Sequence, residues 1–389
     1  MKKSALALAV AAALVGFGSA AYADTTLYGS ARVSVDWVDN NLEIPAGSAY
    51  GTVGADDSWD VANNASRLGV RGEEDLGGGL SAIYQYEFGV DVTEGGTGFN
   101  SNRPKWVGLK GSNWGSLTLG TQWTPYYNVI GVADIFNSAR PFSNSSVYLG
   151  AQFGTRMDNS VVYTTPNWSG FSAQAMLVMN GSCVPSDPQT ANQLCSQAAD
   201  NRLPSNLSNG IDMWQINATY KNGPFFVGAT YMALDGDDLL NVTAVGNNVR
   251  FSPTIPAWDG DQWGLAFGYN QGPFAVTLTY ENGDLNNLYY GTTQNIYVTG
   301  QYTFGNNIIR AAYGYVSPDD GDYVSSVTVD PAGRVVGATT RKQFDINNYI
   351  LGYQYNFSKR TRVFAEYIGQ DQDNNGDVNI VSIGTRVDF

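Results

Sequence analysis

The segment Asn379–Phe389, with the sequence NIVSIGTRVDF, alternates strictly between two kinds of side chain. One face carries apolar residues, namely Val381, Ile383, Val387 and Phe389. The opposite face carries small or polar residues, namely Ser382, Gly384, Arg386 and Asp388. A period of two residues is typical of a β-strand with one dry side and one wet side. The segment is therefore predicted to be a strand that separates an apolar environment from water.

The same alternation recurs earlier in the chain with larger residues. Within residues 349–357, one face carries Tyr349, Leu351, Tyr353, Tyr355 and Phe357. Aromatic side chains near strand ends are typical of transmembrane barrels, where they form girdles at the two membrane interfaces. No stretch of the mature sequence approaches the roughly 18 apolar residues of a membrane-spanning helix. Because only helices and closed barrels satisfy their backbone in lipid, the sequence favours a barrel.

Short and long connections alternate between the predicted strands. Seven short turns rich in Gly, Asn, Pro and Ser lie at residues 75–79, 112–115, 167–170, 222–224, 271–273, 305–306 and 358–359. Eight longer stretches lie at about residues 39–65, 93–102, 122–154, 181–210, 236–260, 283–293, 317–344 and 371–376. This wiring predicts an all-β, 16-stranded antiparallel transmembrane β-barrel with short turns at one end and long loops at the other. A barrel of this size leaves an aqueous channel.

The first 23 residues have the pattern of a secretory signal peptide. Lys2 and Lys3 precede the apolar run Ala5–Phe17, and Ala21-Tyr22-Ala23 supplies a small-residue cleavage site. The alternative, an N-terminal membrane anchor, is disfavoured because the run is shorter than a spanning helix. We therefore expect a signal peptide over residues 1–23 and a single barrel domain over residues 24–389.

Composition narrows the possible functions. The chain has a formal net charge of −14, and loss of Lys2 and Lys3 makes it −16, which argues against nucleic acid as a partner. It has no histidine, so a Ser-His-Asp hydrolase of the outer membrane is excluded. No catalytic activity and no cofactor are expected. Acidic loop tips such as Asp235–Asp238 and Ser317–Asp322 could hold Ca²⁺ or Mg²⁺ loosely and so contact lipopolysaccharide.

Two cysteines, Cys183 and Cys195, lie close together in one polar segment. In an exported protein such a pair is predicted to form a disulfide that closes a surface loop. A metal site is the weaker interpretation, because the chain offers no histidine and no further soft ligands.

Several segments resemble the general, non-specific porins of Gram-negative bacteria. They are Thr25–Gly29, Ser66–Gly77, Val107–Gly111, Asn159–Pro166, Phe357–Thr361 and the terminal Phe389, and they follow the order of that family across the mature chain. The resemblance implies an outer-membrane homotrimer of 16-stranded barrels. It also implies a third loop, here about residues 122–154, that folds into the barrel and narrows the pore.

Strand parity and the resemblance together predict pore-lining residues. Parity places Arg32, Arg67 and Arg71 on the wet face, and likewise Arg310 and Arg362. The resemblance assigns Arg156 to the barrel wall, and Asp134 is the only carboxylate of the third loop. Two positions depart from the family pattern. Thr121 stands where the family usually has an arginine, and Tyr126 and Tyr127 replace an acidic loop motif.

The expected function is passive diffusion of small hydrophilic solutes and ions, with a mild preference for cations inferred from the net charge. Opposed charges at a narrowing orient polar solutes and set ion selectivity. Two alternatives stay open at this stage. One is a porin selective for phosphate, a sugar or a dicarboxylate, and the other is a non-conducting barrel with a structural or adhesive role.

Overall fold

The computed structural model describes residues 24–41, 57–94, 99–100, 103–140, 155–179, 211–234, 260–285, 292–319, 344–373 and 375–389. It describes the backbone alone of short hairpins within residues 240–255 and 322–342. The predicted signal peptide, Cys183 and Cys195 lie outside the described residues. Within the described part, no helix is both long enough and apolar enough to cross a membrane.

Sixteen antiparallel strands form one closed sheet, as predicted. They are β1 (Asp24–Asn40), β2 (Ser58–Asn63 and Arg67–Gly77), β3 (Leu80–Val90), β4 (Phe99–Asn100 and Lys105–Gly111), β5 (Gly115–Trp123), β6 (Arg156–Thr164), β7 (Phe171–Val178), β8 (Met213–Asn222), β9 (Phe225–Leu234), β10 (Gly260–Gln271), β11 (Phe274–Gly283), β12 (Thr293–Phe304), β13 (Asn307–Pro318), β14 (Ile346–Asn356), β15 (Thr361–Gln372) and β16 (Gly376–Asp388). Each strand pairs with its neighbours in sequence, and β1 pairs with both β2 and β16, which closes the barrel. The seven predicted turns join strands at one end.

The polarity of the barrel is inverted relative to a soluble protein. Apolar side chains point outward, so that Ile383 is 62% exposed and Leu351 is 57% exposed. Residues at the alternate positions of the same strands point into the lumen and are buried, as at Ser382 and Gln354. An apolar outer band around a polar interior is the pattern of a barrel that faces lipid. The alternation read from the sequence in β14 and β16 is confirmed.

A bulge interrupts β2 between its two segments. Val33 of β1 pairs with Asn63 and Ser30 pairs with Arg67, so β2 contains one residue more than its partner. Ala65 adopts φ +63°, a left-handed conformation that is uncommon outside glycine. Because side chains alternate along a strand, the extra residue exchanges the two faces of β2 at this point.

The third loop, between β5 and β6, enters the lumen as a short helix. Helix α1 (Pro125–Ile130) begins after Thr124, whose hydroxyl accepts the N–H of Tyr127 at 3.0 Å, and a 3₁₀ turn (Gly131–Ala133) follows. Pro125 at the first helical position needs no N–H partner, which favours the start of a helix there.

Helix α1 lies against the inner wall of β8–β11. Tyr126, Val129 and Ile130 are buried on its wall side. Wall glycines make this approach possible, because a Cβ on Gly264 would lie 2.6 Å from Ile130 Cδ1 and one on Gly228 would lie 2.9 Å from Val129 Cγ1. The glycines therefore set how closely the loop packs on one side and how much lumen stays open on the other.

Candidate functional site: an arginine-lined constriction

Buried polar contacts hold the first part of the third loop to the wall. The hydroxyl of Tyr126 donates to Glu281 Oε1 at 2.7 Å and accepts from Gln262 Nε2 at 3.0 Å. The side chain of Asn217 donates to the carbonyl of Pro125 at 2.8 Å. Because buried polar groups are costly when unpaired, this network fixes the helix in one position.

The second part of the loop is held by β15 and β1. Both carboxylate oxygens of Glu366 accept backbone N–H groups of the loop, from Asn137 and from Ser138, each at 2.8 Å. Further along, Arg140 donates to Asp36 at 2.7 Å and to Asp60 at 2.7 Å. These charge-assisted bonds hold residues 134–140 of the loop, called here the strap, across the lumen.

A cavity of about 350 Å³, called here the arginine cavity, lies between this strap and the wall. Seven arginines line it: Arg32, Arg67, Arg103, Arg156, Arg310, Arg362 and Arg386. Among the described residues that line it, Asp134 is the sole carboxylate. The constriction therefore carries a strongly unbalanced charge.

Three of these arginines form a transverse row across the strand pairing that closes the barrel. Arg32 pairs directly with Arg386, and Arg386 pairs directly with Arg362. Like charges placed directly opposite each other destabilise a sheet. Asp388 offsets part of this repulsion, accepting from Arg362 at 2.5 Å and from Arg386 at 2.8 Å. The nitrogen Nε of Arg32 instead donates to the neutral hydroxyl of Ser30 at 2.8 Å.

An aromatic stack borders the cavity on the loop side. The Arg156 guanidinium carbon lies 4.5 Å from the centroid of the Trp123 ring, and Trp123 stacks on Tyr127 with their centroids 4.5 Å apart. A guanidinium over an aromatic face is held by the ring quadrupole without being neutralised. The stack thus orients Arg156 at the edge of the cavity.

Asp134 stands at the tip of the strap, open to the water of the lumen and enclosed at longer range by the barrel. This enclosure raises the pKa of Asp134 to about 6, although the hydroxyl of Tyr127, at 3.4 Å, and then Arg32, Arg67 and Arg386 act to lower it. Burial and the nearby Asp134 also raise the pKa of Tyr127, whose phenol stays neutral. The one acidic group of the cavity therefore titrates in the physiological range.

Seven of the predicted pore residues come together in the arginine cavity: Arg32, Arg67, Arg156, Arg310, Arg362, Asp134 and Tyr127. Three others do not line it. The guanidinium carbon of Arg71 lies 5.4 Å from the centroid of the Tyr28 ring, and Thr121 donates to Asp158 at 2.7 Å. Tyr126 is fully buried on the wall side of helix α1 and anchors the loop instead of facing the channel.

Sequence reasoning gave no site role to Arg103, Arg386 or Trp123. Alternation already put Arg386 on the wet face of β16, which was the available signal. Arg103 lies between the two segments of β4, where the periodicity is interrupted. Trp123 follows a register shift in β5 at Gly120, which has φ +131°, so simple parity does not apply to it.

Within the described residues, no three His, Cys, Asp or Glu side chains are close enough together to hold a metal ion. The chemistry on offer is electrostatic. A row of fixed cations beside a single titratable carboxylate can attract, orient and pass anions.

Comparisons with known proteins agree with this architecture. The family model described as Gram-negative porin matches residues 7–376. An outer membrane porin protein of Bordetella pertussis is 29% identical over 398 residues, which cover 94% of this chain and 93% of that protein.

Two solved structures share the fold at lower identity. One is an anion-selective porin from Comamonas acidovorans, with a TM-score of 0.60 and 17% identity, covering 95% of this chain and 100% of that chain. The other is OmpT of Vibrio cholerae in its trimer form, with a TM-score of 0.57 and 17% identity, covering 94% and 99%. At these identities the likeness concerns the fold alone.

Proposed function

The chain belongs to the Gram-negative porin family, and from this premise we propose that it is an outer-membrane diffusion channel whose constriction favours anions. The observation that carries the proposal is the lining of the arginine cavity, where the described residues include seven arginines and one carboxylate. Glu87 and Asp388, outside the lining, pair with three of the seven, Arg103, Arg362 and Arg386, so an excess of positive charge remains. Solutes pass this point without any bond being made or broken.

The proposal differs from the cation preference inferred from net charge. The −14 charge of the chain is spread over its whole length, whereas the arginines are concentrated at the cavity. At physiological ionic strength charges are screened over about 8 Å, so the nearest groups dominate the potential that a permeating ion meets. The Comamonas porin that shares the fold is itself named as anion-selective.

The reversal potential in a KCl gradient across a planar bilayer tests this proposal. We expect the wild-type channel to be anion-selective, and Arg67→Gln to shift the reversal potential towards zero. Arg71→Gln is the matched control, because Arg71 lies on the same strand and does not line the cavity. A cation-selective wild type, or an equal shift in both variants, would contradict the proposal.

We also propose that the protein assembles as a homotrimer through the sector formed by β16 and β1–β5. This sector exposes aliphatic residues that include Leu27, Val35, Leu117, Leu119 and Ile383. A neighbouring protomer packed on this sector would remove these aliphatic side chains from lipid, together with exposed aromatic ones such as Trp59 and Phe99. OmpT, which shares the fold, is described in a trimer form.

Contact between the acidic external loops and lipopolysaccharide, through Ca²⁺ or Mg²⁺, stays a prediction. The disulfide between Cys183 and Cys195 also stays a prediction.

A further inference from the structure

A second cavity, of about 660 Å³, adjoins the arginine cavity on the other side of the third loop. It lies near the short-turn end of the barrel and is called here the apolar cavity. Its main apolar side chains are Val132 and Ile135 of the loop and Phe226 of β9. The rest of the lining is mostly small or polar, and it includes Gly268, Ala275, Tyr269, Asn270, Thr277, Thr299 and Gln301. All three apolar side chains are only partly buried, so they meet the water of the lumen.

The charge of this second cavity is as one-sided as that of the first. None of the described residues that line it is acidic, and Lys221 adds a further cation at its short-turn end. A carboxylate that enters this cavity from the arginine side therefore meets no negatively charged residue among those that line it.

Ile135 lines both cavities, and it directly follows Asp134 in the strap. The lumen around the constriction thus has a cationic wall on one side and an apolar surface on the other. In a pore whose arginines face carboxylates, both walls are hydrated, so the apolar part of a solute finds no apolar surface to cover and gains no free energy from burial. Here an apolar body can cover Ile135 and Phe226 while its charged group stays beside the arginines, which removes apolar surface from water.

We propose that this channel favours amphipathic organic monoanions, with a compact apolar ring and one carboxylate, over hydrophilic anions of the same size and charge. The inference rests on the proposed anion preference of the constriction and adds to it a choice among anions. The arginines attract the carboxylate group of the solute. The apolar cavity favours a solute whose ring is apolar over one whose ring carries hydroxyl groups.

Cyclohexanecarboxylate and quinate form a suitable pair of probes, because they share one ring skeleton and one carboxylate and differ in ring hydroxyls. Reversal potentials between a potassium salt of each anion and KCl give their permeabilities relative to chloride. We expect cyclohexanecarboxylate to permeate about fivefold better than quinate, the gain from partial burial of one ring face. Equal permeability, or a preference for quinate, would overturn the inference.

The double variant Val132→Thr/Phe226→Gln makes two side chains polar without changing any charge, and both of them line the apolar cavity alone. It is expected to abolish the preference for cyclohexanecarboxylate while leaving the KCl reversal potential unchanged. Val162→Thr is the matched control, since Val162 is buried in the barrel interior and lines neither cavity. A preference that survives in the double variant would also overturn the inference.

The KCl measurement keeps the two proposals separate. A cation-selective wild type in KCl defeats the proposed anion preference, and with it the premise of the inference. Anion selectivity in KCl with no difference between the two ring carboxylates leaves the proposed function standing and defeats the inference alone.

Discussion

The carboxylate of Glu366 accepts the backbone N–H groups of both Asn137 and Ser138, each at 2.8 Å. This residue of β15 therefore holds the strap of the third loop from across the lumen. Its side chain is buried, so the two bonds are made without competition from bulk water. The position of the strap, and hence the width of the constriction, depends on a wall residue more than two hundred positions away in sequence.

Glu366→Gln is expected to loosen the strap. The amide offers one acceptor oxygen and one NH₂ group, so one backbone N–H loses its partner, at a cost of about 1–3 kcal/mol for a buried donor. Single-channel recordings should show larger current fluctuations and more frequent closures than the wild type. Glu94→Gln, at the start of the second long loop, is the control, and an identical record for both variants would contradict the role of Glu366.

Selectivity should depend on pH through Asp134. Because the pKa of Asp134 is raised to about 6, the carboxylate is charged at pH 7.5 and neutral at pH 5. Acidification therefore removes the negative charge of Asp134 from the arginine cavity, and anion preference should increase as the pH falls through 6. Reversal potentials at the two pH values measure this change.

Asp134→Asn separates this effect from other titrations. At pH 7.5 the variant should show the stronger anion preference that the wild type reaches only in acid, and its selectivity should change little between the two pH values. A variant that keeps the full pH dependence of the wild type would rule out Asp134 as the group responsible.

Gly264→Ala should displace helix α1. The added Cβ would lie 2.6 Å from Ile130 Cδ1, in a contact that is already buried, and overpacking of this kind costs about 1–3 kcal/mol. The helix is pushed towards the open lumen, so single-channel conductance should fall. Gly300→Ala is the matched control, because a Cβ there meets no atom within 4 Å. Equal conductances would show that Gly264 does not set the loop position.

Leu119→Asn tests the proposed trimer contact. A polar amide in an aliphatic protein interface loses apolar burial and stays unpaired, so the trimer should dissociate at a lower temperature. Leu278→Asn places the same change on a similarly exposed residue of β11, outside the proposed contact. Native gel electrophoresis across a temperature series distinguishes the two. If both variants dissociate alike, the contact lies elsewhere.

Periodicity in the sequence predicted the barrel well, because a barrel strand must alternate between lipid and water along its whole length. The same parity placed Arg32, Arg67 and Arg362 towards the lumen, where the structure has them. The residue composition of the connections also predicted the seven short turns, since these need residues that tolerate tight backbone geometry.

The constriction itself was less predictable. Tyr126 is aromatic and lies in the third loop, yet whether it faces the channel or the wall depends on Gly264 and Glu281, which are distant in sequence. Arg103 lies where strand alternation is interrupted. The cation preference inferred from net charge and the anion preference proposed from the cavity differ, because a sum of charges ignores where in the molecule they lie.

The bulge in β2 has a consequence for variation in chain length. Asp60, before the bulge, bonds Arg140 of the strap, and Arg67, after it, lines the arginine cavity, so both must face inward. Seven positions separate them, an odd number that a regular strand cannot accommodate. Deleting any one residue between Asn63 and Arg67 would turn one of the two inward groups towards lipid. Either Asp60 loses its bond to Arg140, or Arg67 faces lipid at a cost of about 2–4 kcal/mol near the membrane midplane. At this point in the chain, the barrel depends on the number of residues more strictly than on their identities.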